Sequence, residues 1–438
     1  MAEEIINRGK TVTAAATGIN LALGVLYTWS IFKGAIKESI EAGGPGAFNW
    51  DPATLNDPYA VCCLVFACTM ILAGKCQDRL GPRVTAIIGG LLVGAGFVWI
   101  SQTTAYMSWV LGFGVLAGTG IAFGYSSATP PALKWFPPSQ TGKIAGIVVS
   151  GFGLASLYIA PLAQYLLGAY GLQHSMLFFG IGFLLVVCLF ALFLVNPPAG
   201  YVAPVLVDRR GRSEGGRKGR ALIVDQDYSP AQMLRTPSFW VLWLLYFIGA
   251  GVGLMVIGSV AGLAKKSMGD AAFVSVALLA VGNAGGRVVA GVVSDMIGRV
   301  RTLSVLFIFQ AVLMLAAIPI TGAVSVTPVL LVLLATLIGF NYGANLALFP
   351  ALTKDFFGIK NFGVNYGVLF TSWGLGGFVM SRASQVLMAK TQSFAASFLA
   401  AAVLLATGAG LILFIKNQKE FKRREIARKM AVGVSPAA

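Results

Sequence analysis

Runs of apolar residues long enough to cross a bilayer recur along almost all of this 438-residue chain, and they constrain its fold more than any other feature. A hydrocarbon layer about 30 Å thick is crossed by roughly 20 helical residues at 1.5 Å each. The expected spans are 11–36, 55–77, 84–104, 107–133, 141–168, 174–196, 237–264, 271–297, 302–322, 326–352, 361–389 and 393–416. These twelve helices predict an all-α membrane protein, and an even count puts both chain ends on one side. With 57% of residues hydrophobic and 11% charged, against about 25% charged in globular proteins, no soluble catalytic domain is left over.

The net charge of +16 does not signal nucleic acid, because the basic residues sit in alternate loops instead of one face. The termini and even-numbered loops hold most of the lysines and arginines, which predicts cytoplasmic termini in a plasma (inner) membrane. The segment 197–236, with Arg209, Arg210, Arg212, Arg217, Lys218, Arg220 and Arg235 among glycines, reads as a linker. It separates a bundle at 1–196 from one at 237–416, followed by a basic tail at 417–438 lying near anionic headgroups. The polar N-terminus lacks the basic-then-apolar layout of a cleaved signal. Cys62, Cys63, Cys68, Cys76 and Cys188 fall in or beside apolar spans, so neither disulfides nor structural zinc are expected. His174 is the only histidine, which argues against a metal site, and no cofactor is expected.

The two halves echo each other. After the second span comes G-K-C-Q-D-R-L-G-P-R, Gly74–Arg83, and after the eighth comes G-V-V-S-D-M-I-G-R-V-R, Gly291–Arg301. Each sets an acid near a helix end, a glycine turn and basic residues in a very short loop. Asp78 with Arg79 and Arg83, and Asp295 with Arg299, are therefore expected to pair with helix termini or neighbouring arginines in one conformation. A parallel repeat of this kind places a binding site between the bundles near the midplane.

These paired loops resemble the signature of the major facilitator superfamily. Gly24–Lys33 (G-V-L-Y-T-W-S-I-F-K), Lys134–Gly153, Met233–Trp243 and Phe357–Gly367 further resemble its oxalate/formate antiporter and monocarboxylate transporter branch. The resemblance implies alternating access for a small carboxylate, with or without a co-transported proton, by a protein that works as a monomer. It also implies a substrate arginine at Arg287 and site positions at Leu26, Tyr27, Asn56, Tyr125, Tyr342, Leu346, Phe370 and Trp373. The sequence departs from the branch at three places. Asn283 stands where mammalian members have a proton-coupling aspartate, Trp373 where the oxalate exchanger has a lysine, and Ile31 near the mammalian first-helix lysine.

The residues themselves support the arginine. Arg287 lies about 10 residues, or about 15 Å, from its helix end, half of a roughly 30 Å core. A guanidinium there costs about 2.5–3.5 kcal/mol on insertion scales, so it should face a cavity or partner. Its planar fork suits a carboxylate. Asn283, four residues earlier, shares its helix face. Tyr125, Tyr342, Phe370 and Trp373 fall at similar depth, with Asn345 a turn beyond Tyr342. One fixed cation neutralises one carboxylate, which favours monocarboxylates such as lactate or pyruvate over dianions; Lys33 is the alternative second cation. Asp57-Pro58 reads as a helix start, with Asp57 the alternative proton acceptor. No H-E-x-x-H or nucleophile elbow suggests an enzyme.

Overall fold

The computed structural model describes residues 7–198, 200–201, 203, 227–268, 272–322 and 328–431. Most of the expected linker, 204–226, and the end of the tail, 432–438, lie outside the described residues, as do the tail's side chains from 415 onward.

The first pass is interrupted. Helix α1 (Gly9–Leu23) runs through a 3-10 turn (Gly24–Thr28) into α2 (Trp29–Ala42). The interruption has a steric partner: a Cβ on Gly24 would lie 2.2 Å from that of Ala155 and 2.5 Å from the Phe152 carbonyl oxygen. Short 3-10 stretches inside helices often mark functional hinges, and this one carries Leu26 and Tyr27. Helices α3 (Asp57–Leu80) and α4 (Pro82–Ile100) form the next two passes. A short α5 (Tyr106–Trp109) then leads through a π-helical stretch (Val110–Ala117) into α6 (Gly118–Lys134). Helix α7 (Thr141–Ala191) holds the fifth and sixth expected spans, reversed at a single residue, Gly171, with φ 73° and ψ 174°. A left-handed φ is open to glycine without a Cβ penalty, so the turn needs no loop.

The second half begins with α8 (Pro230–Leu234), whose start is a reciprocal cap between Ser229 and Gln232. Then come α9 (Pro237–Met268), α10 (Ala272–Ile297), α11 (Arg299–Gly322), α12 (Pro328–Phe357), α13 (Phe362–Thr391) and α14 (Ala395–Ala431). Among the described residues ten stretches are long and apolar enough to cross a membrane. Dividing α7 at Gly171 and adding the 30-residue α13 gives the twelve passes the sequence predicts. The lipid-facing shell is apolar, with Leu72, Leu185, Val305 and Phe378 largely exposed.

The halves meet along two seams, α3 against α13 and α7 against α10. Glycines bring the backbones together in both. A Cβ on Gly74 would lie 2.1 Å from the carbonyl oxygen of Gly363, and one on Gly291 would lie 2.2 Å from that of Gly142. Small residues allow such approach where no hydrophobic force drives helices together.

Candidate functional site

Arg287, on α10, is fully buried at the α7 seam. Its Nε donates to Asn283 Oδ1 at 3.0 Å, one turn earlier on the same helix face. One terminal nitrogen donates across the seam to the Val149 carbonyl on α7. The other terminal nitrogen, Nη2, has no hydrogen-bond partner. A guanidinium keeps its charge and five donors in any protein setting, so a buried cation here holds donors in reserve.

Aromatic side chains surround it. Tyr342 on α12 shares a 3.1 Å hydrogen bond with Tyr27, hydroxyl to hydroxyl, and accepts a 2.9 Å bond from Trp373 Nε1 on α13. Tyr27, Tyr125 and Tyr342 all feel the charge of Arg287. Tyr125 packs edge-on against Phe66 and Phe152 at 5.6 and 5.5 Å, and Phe370 stacks on Trp373 at 4.9 Å. The structure thus gathers Arg287, Asn283, Tyr27, Tyr125, Tyr342, Phe370 and Trp373 from both halves. Leu26 and Leu346 are buried next to Tyr27 and one turn beyond Tyr342. Phe66 and Phe152 were not singled out from the sequence. Phe66 lies ten residues into α3, about 15 Å along the helix, a depth that marks it in retrospect.

Other expected positions lie elsewhere. Asn56 is exposed at the mouth of α3, ten residues before Phe66 and so about 15 Å away along the helix. The structure starts α3 at Asp57, so Asn56 and not Asp57 is the capping position, and it makes no side-chain cap. The Asp57 carboxylate instead accepts the Tyr106 hydroxyl at 2.7 Å. Asn345 donates to Asn341 on its own helix, at 3.0 Å to the carbonyl, and its Oδ1 lies against Gly249 of α9. Lys33 is half-buried on α2. His174 is exposed, and no group of three potential metal ligands occurs among the described residues.

The two echoed loops close one end of the molecule. Asp78 Oδ1 and Oδ2 accept the backbone N–H groups of Gly363 and Val364 at 3.0 and 2.9 Å, capping the start of α13. Asp295 accepts those of Gly142 and Lys143 at 2.9 and 2.7 Å, capping the start of α7. Both contacts cross between halves, and a carboxylate at a helix N-terminus is favourable for charge as well as hydrogen bonding. Arg299 pairs with Asp295 and, at 3.2 Å, with Asp355, and donates to Ser294 at 2.6 Å. Arg83 donates to the Leu192 carbonyl at 2.8 Å within its own half, and Arg79 is exposed.

Two helical bundles that close over a buried, under-satisfied cation form the architecture of a multi-pass membrane transporter. The chain belongs to the Major Facilitator Superfamily, whose profile matches residues 13–381. Proteins of this family move solutes and are not enzymes. Its relatives include an uncharacterized MFS-type transporter, YhjX, of Escherichia coli strain K12, 28% identical over 81% of this chain and 82% of that protein. An oxalate:formate antiporter of Oxalobacter formigenes is 29% identical over 80% of this chain and 77% of its own. Monocarboxylate transporter 13 of Rattus norvegicus is 26% identical over 78% and 75%. Among solved structures, the proton:xylose symporter XylE superposes with a TM-score of 0.69 at 16% identity, covering 94% of this chain and 96% of that one. The E. coli fucose:proton symporter FucP superposes at 0.64 and 14%, covering 92% and 98%. At such identity these two establish the fold alone.

Proposed function

We propose that the protein is a secondary transporter of small monocarboxylates of the lactate and pyruvate type, proton-linked, working by alternating access with Arg287 binding the carboxylate. One observation carries the reading: Arg287 is fully buried between the bundles and keeps Nη2 unpaired. A carboxylate arriving there accepts from Nη2, with the Tyr27 and Tyr342 hydroxyls within the same cluster, while Phe66, Phe370 and Trp373 offer an apolar wall for a short carbon tail. The relatives that act on oxalate, formate or monocarboxylates support the substrate class. In this reading 1–196 and 237–416 are the two rocking bundles, 197–236 their cytoplasmic linker and 417–438 a cytoplasmic tail. The echoed loops then close the cytoplasmic side of the plasma (inner) membrane, the protein acts as a monomer, and the proton rides on the substrate or on Asp57.

The test is uptake of radiolabelled lactate into proteoliposomes with and without an inward proton gradient. Gradient-stimulated uptake in the wild type, lost at least a hundredfold in Arg287→Ala at equal protein incorporation, is expected. Uptake by the alanine variant at the wild-type rate would reject the site.

An oxalate/formate-type carboxylate exchanger is the second reading, favoured by the 29% identical antiporter. It requires a second cation in the site, and Trp373 occupies the position where the oxalate exchanger of the resembled branch has lysine. Transport only in exchange for internal substrate, with oxalate accepted, would select it. Trp373→Lys is expected to admit oxalate under the first reading; unchanged selectivity would remove the charge argument for monoanions.

A further inference from the structure

Between the Arg287 site and the gate closed by Asp78 lies a second layer of hydroxyls. Helix α13 carries one aromatic column, Phe362, Tyr366, Phe370 and Trp373, from the gate inward, with ring centroids 5.7 Å apart at its first two steps and 4.9 Å at the last. Tyr366 is thus about one helical turn from Gly363 and Val364, which Asp78 holds, and one turn short of Phe370 in the site. Facing it are Tyr125 from α6 and Tyr246 from α9, so three helices and both halves contribute. Tyr246 is fully buried and stacked on Phe349 at 4.1 Å, and Tyr125 and Tyr366 are each 3% exposed.

These three hydroxyls are poorly satisfied. Tyr246 and Tyr366 approach hydroxyl to hydroxyl at 3.5 Å, the outer limit for a hydrogen bond. The Tyr125 hydroxyl has no hydrogen-bond partner. Burying a hydroxyl without an acceptor costs free energy that the same ring without oxygen would not. The layer accepts bare rings, since Phe349 stacks on Tyr246 and Phe362 on Tyr366. One of the Tyr246 and Tyr366 hydroxyls accepts from the other over a long 3.5 Å contact and the Tyr125 hydroxyl is unpartnered, so at least two of the three protons are free to turn toward a visiting group with two acceptor oxygens. Arg287 also acts electrostatically on Tyr125 and Tyr246, so a monoanion moving to this layer stays under its influence.

We propose that the hydroxyls of Tyr125, Tyr246 and Tyr366 form a second carboxylate station, one step toward the gate from Arg287, which the substrate occupies as it leaves for or arrives from that side. This rests on the carboxylate reading of the Arg287 site. The station holds donors and no charge, so it binds more weakly than Arg287. A weaker second site lets a tightly held ion leave by steps, as multi-site conduction requires. Tyr125 belongs to both layers and hands the carboxylate from one to the other.

The experiment uses the full-length protein with Tyr246→Phe, Tyr366→Phe and the double substitution, which keep every ring and remove only oxygen. Pyruvate binding is followed by tryptophan fluorescence, since Trp373 lines the first site, and turnover by proteoliposome uptake and efflux. Affinity within twofold of wild type and turnover about tenfold lower in the double variant are expected, with smaller losses in each single one. Turnover within twofold of wild type in the folded double variant overturns the station and assigns the hydroxyls to packing or a bound water. Equal losses in affinity and turnover overturn it too, because they mean a distorted first site. If wild-type binding of pyruvate survives Arg287→Ala, the carboxylate site itself is wrong; if binding needs Arg287 and the tyrosine variants transport normally, only the station is.

Discussion

The two seams that close the molecule begin from the same sequence pattern and end with different chemistry. In the α3/α13 seam Asp78 caps the start of α13 through two backbone N–H groups, and the arginine of its loop, Arg83, turns away to Leu192. In the α7/α10 seam Asp295 makes the equivalent cap on α7, but its loop arginine, Arg299, stays and bridges Asp295 to Asp355. Lys354 adds a cross-half bond to Thr141 at 3.0 Å on that side. One seam is a capped helix whose acid has a single cation, Lys134, acting on it through space. The other is a capped helix inside a buried charge network, with Arg299 7% exposed. An anion on a helix terminus is the shared device, and the network is what the second half adds to it.

The difference makes predictions of graded size. Asp295→Ala removes the cap and leaves Arg299, whose terminal nitrogen would lie 2.6 Å from a Cβ on Gly142 across the seam, unneutralised against the positive end of α7, a loss of about 3 kcal/mol to the closed contact. That corresponds to a roughly hundredfold shift toward the state open at this end, read as faster labelling of a cysteine replacing the buried Thr141 in a cysteine-free background. Asp78→Asn keeps the shape and weakens two charge-assisted bonds by about 1.4 kcal/mol together, and a roughly tenfold shift is expected in the same assay with a cysteine at Asn365. Equal shifts at the two seams would show that the network adds nothing to the cap. Arg83→Ala is expected to change labelling and uptake less than twofold, because its bond never crosses between halves. A tenfold effect there would mean that the first seam has a charged partner in another conformation.

Much of the candidate site is legible in the sequence. A lone arginine inside an apolar run announces itself because the bilayer makes unpaired charge expensive, and Asn283 follows from helical spacing. The echoed acids were legible as helix caps, though not their partners: the cap on α13 joins residues 285 apart in sequence. The aromatic members were less legible. Nearly every span holds a phenylalanine or tyrosine, and nothing local separates Phe66 or Tyr246, in the cluster, from Phe378, exposed on the outer shell. Asn56 and Asn345 were drawn in by resemblance and by spacing, respectively. The structure sets the first at the mouth of α3 and turns the second toward Asn341.

What the sequence determined by itself was the all-helical membrane fold, its twofold internal echo and the buried cation. Each follows from a local rule that the bilayer imposes: satisfy the backbone within a helix, keep loops short and polar, and tolerate charge only where it works. What only the tertiary structure decided was which faces meet. The pairing of Asp78 with α13 and Asp295 with α7, the parting of Arg83 from Arg299, and the convergence of three tyrosine hydroxyls below Arg287 all depend on helix rotation and close glycine contacts. Those are set by packing between segments distant in the chain, and period and composition carry no record of them.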